Sequence, residues 1–241
     1  MRTLFVSDVH LHESRPQITR AFFDFLHTYK DGTEALYILG DFFDAWIGDD
    51  DDTALNAEVA AELKQFSDHD IKIYLMHGNR DFLLGEKFAA QAGATLLPEN
   101  IVIDLYGQPT LLLHGDELCT CDKDYIIFRQ QVRSAQWQAQ VLSQPLQARR
   151  MLAAQLREKS QAMNSLKAED IMDVTPDEVI QVMSRAGVTR LIHGHTHRPA
   201  RHTLNINGVT AERIVLGDWH DSAWVLEATA NQLTLTHWAI E

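Results

Sequence analysis

The sequence predicts an α/β sandwich of two β-sheets that carries a helical insertion. Three observations support this fold class. Strand-like and helix-like segments alternate over the first third of the chain, further strand-like segments follow Pro98, and none occurs between about residues 122 and 186. Alternating strands and helices favour a parallel sheet, and the additional strands favour a second sheet packed against it.

The first third of the chain contains the elements of the expected parallel sheet. They are strands at 4–7, 35–39 and 71–76 and helices at 16–29 and 55–66. Pro16 suits the first turn of a helix, and Ile18, Phe22 and Phe25 recur at helical spacing. In a parallel sheet of this kind, the active residues lie at the carboxyl ends of the strands.

The later strands belong to the expected second sheet and to the end of the chain. They are predicted at 101–106, 110–114, 213–216, 223–227 and 233–240, with a hairpin turn at 107–109 between the first two. A helical insertion is expected at 122–186, between core segments 1–121 and 187–241. Its helices are predicted at 126–142, 148–166 and 176–186.

Composition excludes several classes of protein. The chain has 241 residues, of which 45% are hydrophobic, and it contains no apolar run of the roughly 18 residues that a membrane-spanning helix needs. The N-terminus does not resemble a signal peptide, and Cys119 and Cys121 are too few for a disulfide framework, so a reducing cytoplasm is expected. A net charge of −13 disfavours nucleic acid as a partner. No obligate protein partner is evident.

The insertion differs from the rest of the chain in charge. From 123 to 167 there are eight basic residues against two acidic ones. The basic residues are Lys123, Arg129, Arg133, Arg149, Arg150, Arg157, Lys159 and Lys167. An apolar stripe runs beside several of them and consists of Leu152, Leu156, Met163 and Leu166. Such a stripe is most often a helix face packed on the core, with the charged face in solvent. The alternative is a cap for a substrate that is both apolar and anionic.

Five short clusters combine acids, histidines and glycines. They are Asp8-Val9-His10, Gly40-Asp41-Phe42-Phe43-Asp44, Gly78-Asn79-Arg80-Asp81, His114-Gly115-Asp116 and Gly194-His195-Thr196-His197. Four of them directly follow a strand-like run, and the fifth follows the short Leu191-Ile192. A single Asp-x-His or Gly-Asp pair is usually a turn, but five in order at strand ends indicate one site. In an extended segment residues i and i+2 point to the same side, so Asp8 with His10, and His195 with His197, are expected to chelate as pairs.

These clusters supply seven candidate metal ligands: Asp8, His10, Asp41, Asn79, His114, His195 and His197. Seven oxygen and nitrogen ligands are too many for one tetrahedral zinc and fit two metal ions that share a bridging carboxylate. The ligand mixture suits Mn²⁺, Fe²⁺ or Zn²⁺, of which Mn²⁺ is preferred here. Asp44 and Asp116 lie beside ligand positions and are expected either to orient histidines or to cap turns.

The clusters DVH, GDFFD, GNRD, HGD and GHTH, in this order, resemble the calcineurin-like metallophosphoesterases, and the resemblance spans about residues 4–220. It implies an αββα sandwich of two sheets with a helical lid. It further implies one metal ion held by Asp8, His10, Asp41 and His197. A second metal ion is then held by Asp41, Asn79, His114 and His195, so that Asp41 bridges the two.

Within that family the chain resembles the bacterial UDP-2,3-diacylglucosamine diphosphatases of lipid A biosynthesis. The resemblance rests on residues 78–81, on 114–122 with Tyr125, and on the helical insertion. It implies hydrolysis of an acylated UDP-sugar at its pyrophosphate to UMP and 2,3-diacylglucosamine 1-phosphate, by attack of metal-activated water on the α-phosphorus. The implied substrate contacts are Asn79, Arg80, Asp122, Ser160, Asn164, Lys167 and His195. Tyr125, beside Asp122, and the basic Arg157 of the insertion are expected to contact the substrate as well. The implied catalytic residues are Asp41, Arg80 and His195.

Arg80 gives separate support for cleavage of a pyrophosphate. An arginine does not give up its proton in a protein, but it binds phosphate oxygens with two donors. A site without an acid at this position favours a leaving group that needs no proton. A phosphate leaving from a pyrophosphate satisfies this condition, because its second pKa is about 6.

Two expectations follow from a lipid-like substrate. The insertion would hold the acyl chains against Leu152, Leu156 and Met163 and the anionic headgroup against Arg157 and Lys167. The protein would then dock at the cytoplasmic face of the bacterial inner membrane as a peripheral protein. Two alternatives remain open. One is a dimetal phosphodiesterase or nucleotide pyrophosphatase with a soluble substrate, and the other is a binding scaffold without catalysis.

Overall fold

A computed structural model of the chain describes residues 1–164 and 173–241, and it contains two sheets between layers of helices. The strands are β1 Arg2–Val6, β2 Thr33–Leu39, β3 Lys72–Met76, β4 Ala94–Leu96, β5 Asn100–Leu105, β6 Gln108–Leu113, β7 Arg190–His193, β8 Ala200–Ile206, β9 Val209–Val215, β10 Ser222–Ala228 and β11 Leu233–Ala239. The helices are α1 Pro16–Tyr29, α2 Ala54–Ser67, α3 Glu86–Gln91, α4 Lys123–Val132, α5 Ala135–Leu142, α6 Leu146–Asn164 and α7 Pro176–Ala186.

The first sheet has the strand order β11-β10-β1-β2-β3-β4, and the second has the order β5-β6-β7-β9-β8. β1 to β4 are parallel to one another, as the alternation of strands and helices predicts. In the second sheet β6, β7 and β9 are also parallel, while hairpins add β5 and β8 at the edges. Both sheets therefore have parallel strands whose carboxyl ends can contribute to one site.

Three buried clusters define the layers of the sandwich. The first packs α1 and α2 on the outer face of the first sheet, with Phe22 and Trp219 among its largest members. The second lies between the sheets and includes Phe5 of β1 and Ile192 of β7. The third packs α7 on the outer face of the second sheet through Met183. The predicted fold class, an αββα sandwich, is confirmed.

Several predicted boundaries need correction. The turn between β5 and β6 is formed by Tyr106 and Gly107, both with positive φ, and Pro109 lies in β6 opposite Asp104. A two-residue turn of this kind matches the twist of a hairpin, whereas the predicted turn at 107–109 does not. The helix predicted at 126–142 is two helices, because Ser134 caps α5 by accepting a hydrogen bond from the amide of Trp137 at 3.3 Å.

Some elements were not predicted at all. They are α3, β4, β8 and a 3₁₀ turn at Asp116–Leu118. The strand β4 has three residues, and β8 alternates apolar with polar side chains on a sheet edge, so neither has the apolar run that predicts a strand. The division into a core and an insertion at 122–186 stays a prediction.

Ion pairs attach α6 to the loop after β2. Arg149 is 4% exposed and donates to the carbonyl oxygen of Ile47 at 2.6 Å and to Asp50 Oδ1 at 2.7 Å. Arg150 donates to Asp51 one residue further along this loop. Leu152 packs against the cluster that lies under the first sheet. The acidic loop thus balances much of the positive charge that the sequence places in this helix.

No helix in the described part of the chain is long and apolar enough to cross a membrane.

Phe22 is a suitable probe of the first cluster. It is fully buried and its ring lies 5.1 Å from that of Phe42 and 5.8 Å from that of Trp219, centroid to centroid. We expect Phe22→Ala to lower the free energy of unfolding by about 3–5 kcal/mol, since it leaves a cavity among rigid aromatic rings. Urea denaturation measures this, with Ile127→Ala, 65% exposed, as the control. Equal losses in the two variants would contradict the assignment of Phe22 to the core.

Candidate active site

All seven predicted metal ligands lie in loops at the carboxyl ends of parallel strands. Asp8 and His10 follow β1, Asp41 follows β2, and Asn79 follows β3. The other three come from the second sheet: His114 follows β6, and His195 and His197 follow β7. The loops after β1 and β2 run side by side, because the amide of His10 donates to the carbonyl oxygen of Asp41 at 3.0 Å. The site therefore combines the two sheets.

Five of these seven residues have a left-handed backbone. The φ angles are 53° at Asp8, 53° at His10, 50° at Asp41, 70° at His195 and 53° at His197. The expectation that Asp8 with His10, and His195 with His197, project as pairs from extended segments is wrong. A side chain other than glycine in this conformation costs about 1–3 kcal/mol, and such strain is concentrated at functional sites.

Asp81 stabilises the strained turn at Asp41. Its carboxylate, 1% exposed, accepts hydrogen bonds from the amides of Phe42 at 2.7 Å and Gly78 at 2.7 Å. Gly78 has to be glycine, since a Cβ there would lie 2.1 Å from Asp41 Oδ1. The sequence suggested no role for Asp81, because a carboxylate that binds backbone amides has no recognisable motif of its own.

The first group of ligands, named here the Asp8 group, consists of Asp8, His10, Asp41 and His197. His197 Nε2 lies 3.2 Å from Asp8 Oδ1 and 3.3 Å from His10 Nε2. His10 Nδ1 lies 4.0 Å from Asp41 Oδ2 and, among the described residues, is a buried nitrogen without a hydrogen-bond partner. Ligand atoms of Asp8, His10 and His197 all lie within 4.8 Å of one another.

The second group, named here the His114 group, consists of Asp41, Asn79, His114 and His195. Asn79 Oδ1 lies 3.0 Å from His114 Nε2 and 2.9 Å from His195 Nδ1. Asp41 Oδ1 lies 3.7 Å from His114 Nε2. The two carboxylate oxygens of Asp41 thus face the two groups, which is the arrangement that a bridging ligand requires.

The buried carboxylates of the site have perturbed pKa values, and their negative charge suits bound cations. Burial, followed by the neighbouring carboxylates of Asp81 and Asp8, raises the pKa of Asp41 to about 7, against the opposing effect of His114. Burial also raises the pKa of Asp8, but the hydrogen bond and the charge of His197 outweigh it and hold that pKa well below its usual value. Two carboxylates crowded in a buried site, with imidazole and amide donors beside them, form a donor set for divalent metal ions.

The acceptors that orient the histidines are not those expected. His114 Nδ1 donates to the carbonyl oxygen of Leu39 at 2.8 Å, and His197 Nδ1 lies 3.5 Å from Asp218 Oδ2. Asp44 and Asp116 were expected either to orient histidines or to cap turns, and in the described part of the chain neither accepts a hydrogen bond from a histidine. Asp116 instead accepts hydrogen bonds from Tyr125 and Arg129, whereas Asp44 binds arginines.

The predicted substrate contacts at the start of the insertion lie beside the His114 group. The ring of Tyr125 stacks on that of His195 with centroids 6.1 Å apart, and its hydroxyl donates to Asp116 Oδ2 at 2.6 Å. Asp122 caps α4 by accepting from the amide of Tyr125 at 3.1 Å. The side chains of Ser160 and Asn164, together with that of Met163, lie outside the described part of the structure, as do Lys167 and Leu166 altogether.

Arg80 and Arg157 converge on Asp44, although they come from distant parts of the chain. Arg80 Nη1 donates to Asp44 Oδ1 at 2.7 Å, and Arg157 Nη1 donates to Asp44 Oδ2. Asp44 is nearly fully buried, whereas the two arginine side chains are more than a third exposed. The donors predicted to bind phosphate are thus held at the opening of the site, next to Asp41, whose Oδ2 lies 3.6 Å from Arg80 Nε.

A cavity of about 340 Å³ lies beside α6, and Arg157 is one of its lining residues, whereas Arg80 is not. The lining is mixed. Its apolar part includes Phe43, Trp46, Leu55 and Ala153, and its polar and charged part consists of His12, Glu13, Asp51, Thr53, Asn56, Arg150 and Arg157. Its volume is within the range of small-molecule sites. A larger cleft of about 550 Å³, near Tyr37 and Tyr74, contains none of the predicted site residues.

Comparison with known proteins shows which family the chain resembles. The family model described as calcineurin-like phosphoesterase matches residues 1–199. That range contains every predicted metal ligand.

Relatives similar along the whole chain have names that specify a substrate. A protein of Cellvibrio japonicus named UDP-2,3-diacylglucosamine hydrolase is 67% identical over 240 residues, which cover 100% of each chain. Proteins with the same name from Marinobacter nauticus and Pseudomonas aeruginosa are 57% and 54% identical. The first covers 96% of this chain and 95% of its own, and the second covers 96% of each.

Asp81 provides a test of how the site is supported. In Asp81→Asn one acceptor oxygen becomes an amide donor that faces backbone N–H groups. We expect the free energy of unfolding to fall by about 1.5–3 kcal/mol. We also expect Mn²⁺ affinity to fall, because the turn at Asp41 loses its support. Calorimetric titration with Mn²⁺ and urea denaturation measure the two effects.

Asp24→Asn on the exposed face of α1 is the matched control. An Asp81→Asn protein with wild-type stability and Mn²⁺ affinity would contradict the role given to Asp81.

Proposed function

The chain belongs to the calcineurin-like phosphoesterases and is a metal-dependent hydrolase, and from this premise we propose that it cleaves the pyrophosphate of UDP-2,3-diacylglucosamine. The products are UMP and 2,3-diacylglucosamine 1-phosphate, and the reaction is a step of lipid A biosynthesis. The observation that carries the proposal is the 67% identity to a relative named for this substrate over the full length of both chains. Arg80 gives separate support for cleavage of a pyrophosphate, because an arginine at this position suits a leaving group that needs no proton.

Two divalent metal ions are proposed, with Mn²⁺ as the preferred ion. The Asp8 group would hold one and the His114 group the other, with Asp41 shared between them. When bound, such ions supply a nucleophile at neutral pH by lowering the pKa of water, and they neutralise charge on the phosphate. Support for this assignment comes from the chemistry of the donors and from the buried, unpartnered Nδ1 of His10.

The protein's own residues bind and orient the pyrophosphate. Arg80 and Arg157 point their guanidinium groups at the opening of the site, where they can stabilise the charge that spreads over the phosphoryl oxygens. Burial lowers the pKa of His195 to about 4, with the charge of His114 acting in the same direction. His195 therefore stays neutral, as a metal ligand must be, and Asn79 Oδ1 and the Tyr125 ring fix its position.

An acyl chain of the substrate is proposed to occupy the cavity beside α6. The lining differs from the one expected from the sequence, because Leu152 packs into the core while Trp46, Leu55 and Ala153 face the cavity. Arg157 at one side of the cavity places a positive charge where the headgroup would enter. Contacts of the substrate with Asp122, Ser160, Asn164 and Lys167 remain part of this proposal.

We also propose that the protein docks on the cytoplasmic face of the bacterial inner membrane as a peripheral protein, since its substrate is a lipid. The arginines of the insertion are poor candidates for the contact, because Arg129, Arg133, Arg149, Arg150 and Arg157 all pair with acidic side chains. The exposed apolar side chains of the insertion are better suited. Ile127 is 65% exposed and Met151 is 59% exposed.

Vesicle flotation tests this docking. We expect the double variant Ile127→Glu/Met151→Glu to bind less to vesicles of phosphatidylethanolamine and phosphatidylglycerol, since glutamate is unfavourable at an anionic, apolar surface. The control is Val102→Glu/Val209→Glu, which places the same charges at exposed apolar positions outside the insertion. Unchanged binding of the first variant, or equal loss in both, would contradict docking through the insertion.

Phosphorus NMR in ¹⁸O-labelled water tests the reaction itself. With Mn²⁺ and UDP-2,3-diacylglucosamine we expect turnover with the label in UMP, because attack at the α-phosphorus leaves the solvent oxygen there. Asp41→Ala should abolish turnover and metal binding together, since it removes the shared ligand. Label in the sugar phosphate would refute attack at the α-phosphorus. Absence of turnover, with hydrolysis of bis-p-nitrophenyl phosphate intact, would refute the substrate and favour a soluble phosphodiester or pyrophosphate.

A further inference from the structure

A third guanidinium group lies beside Arg80 and Arg157, from a residue that no motif of the sequence indicates. Arg15 precedes α1, and its Nη2 lies 3.3 Å from Asp44 Oδ1, the same oxygen to which Arg80 donates. Nη2 also donates to the carbonyl oxygen of His10 at 2.6 Å. Arg15, Arg80 and Arg157, named here the arginine triad, thus surround one carboxylate.

The arginine triad has more positive charge than Asp44 can neutralise. Three guanidinium groups share Asp44, and Arg80 also lies 3.6 Å from Asp41 Oδ2. These contacts leave an excess of about one positive charge, because arginine stays protonated in proteins. Asp44 is 1% exposed, whereas the side chains of Arg15, Arg80 and Arg157 are 25%, 37% and 39% exposed. The carboxylate of Asp44 thus lies on the buried side of the arginine triad, and the arginine side chains are partly exposed to solvent.

The cations also act on one another. Burial, followed by the charge of Arg80, lowers the pKa of Arg15, while Asp218 opposes this effect. Burial and then the charge of Arg15 lower the pKa of Arg157. Like charges held together by a buried carboxylate, beside the proposed metal ligands, are an arrangement that an anionic phosphate group would stabilise.

We propose that Arg15 is a specificity-determining residue that, with Arg80 and Arg157, binds the second phosphate of the substrate, the one not attacked. This inference rests on the proposed function for the identity of that phosphate. The path from the Asp8 group through Arg15 and Arg80 to Arg157 leads towards the cavity beside α6. A pyrophosphate with its attacked phosphorus at the metal ligands would therefore place its other phosphate among the three guanidinium groups.

The test compares ligands with one and two phosphates on the Mn²⁺-loaded protein. Isothermal titration calorimetry would measure the affinities of UMP and of α,β-methylene-UDP, a non-hydrolysable mimic of the pyrophosphate. We expect the wild-type protein to bind the two-phosphate ligand more tightly. In Arg15→Gln the ratio of the affinity for α,β-methylene-UDP to that for UMP should fall by about tenfold to a hundredfold, because one charged hydrogen bond is lost. The affinity for UMP itself should stay unchanged. Arg15→Lys should retain part of the advantage, because it keeps the charge but not the two-donor geometry.

Arg20→Gln, at an exposed position of α1, is the matched control and should leave both affinities unchanged. A structural role of Arg15, acting through its contact with His10, would weaken both ligands equally and lower the Mn²⁺ content. That result, or unchanged affinities, or no preference of the wild-type protein for the two-phosphate ligand, would overturn the inference. Failure of the proposed function would instead appear as absence of UDP-2,3-diacylglucosamine turnover by the wild-type protein, independently of these affinities.

Discussion

The site depends on the burial of Asp41 between two groups of ligands. Its carboxylate lies beside Asp8, Asp81 and the imidazoles of His10 and His114, at the point where the two sheets meet. Burying carboxylates this close together is unfavourable unless positive charge is present. The left-handed turns, the glycine at 78 and the amide hydrogen bonds to Asp81 all maintain this arrangement. Their combined strain is the structural cost of holding ligands ready for cations.

A second carboxylate, Asp44, has a comparable role for the cations of the site. Without it, Arg15, Arg80 and Arg157 would repel one another and turn towards solvent. With it, they are gathered from α1, the loop after β3 and α6 into one place. The same contact attaches α6 to the core, so the helix that lines the cavity is positioned by the groups proposed to bind phosphate. Binding of a phosphate by these arginines would therefore be coupled to the position of this helix through Asp44.

The sequence allowed much of this architecture to be predicted. Apolar periodicity is strong at α1, β2 and β3, and each of these elements is where it was expected. Clusters of acids and histidines at strand ends identified the seven candidate ligands, because carboxyl ends of parallel strands meet at one edge. Features that depend on contacts across the sandwich were missed. Asp81 lies in the GNRD cluster, but its bonds to the backbone of the loop after β2 leave no mark in the sequence. Asp218 and Arg15 are single polar residues outside the clusters, and Asp218 contacts His197 while Arg15 contacts Asp44. The left-handed backbone at His10 was missed because a histidine is found in extended as well as in left-handed segments, so the residue type does not distinguish the two.

The ligands of the candidate metal site that follow strands of the first sheet come earlier in the chain than those that follow strands of the second sheet. Asp8, His10, Asp41 and Asn79 are all synthesised within the first third of the chain, whereas His114, His195 and His197 follow later. Neither ligand group is complete until β7 has been made and the second sheet packs on the first. Before then the nascent chain carries Asp8, Asp41 and His10 without the two histidines that follow β7. A metal ion that needs all the ligands of one group could therefore be held only in the last stage of folding, after most of the polypeptide has left the ribosome.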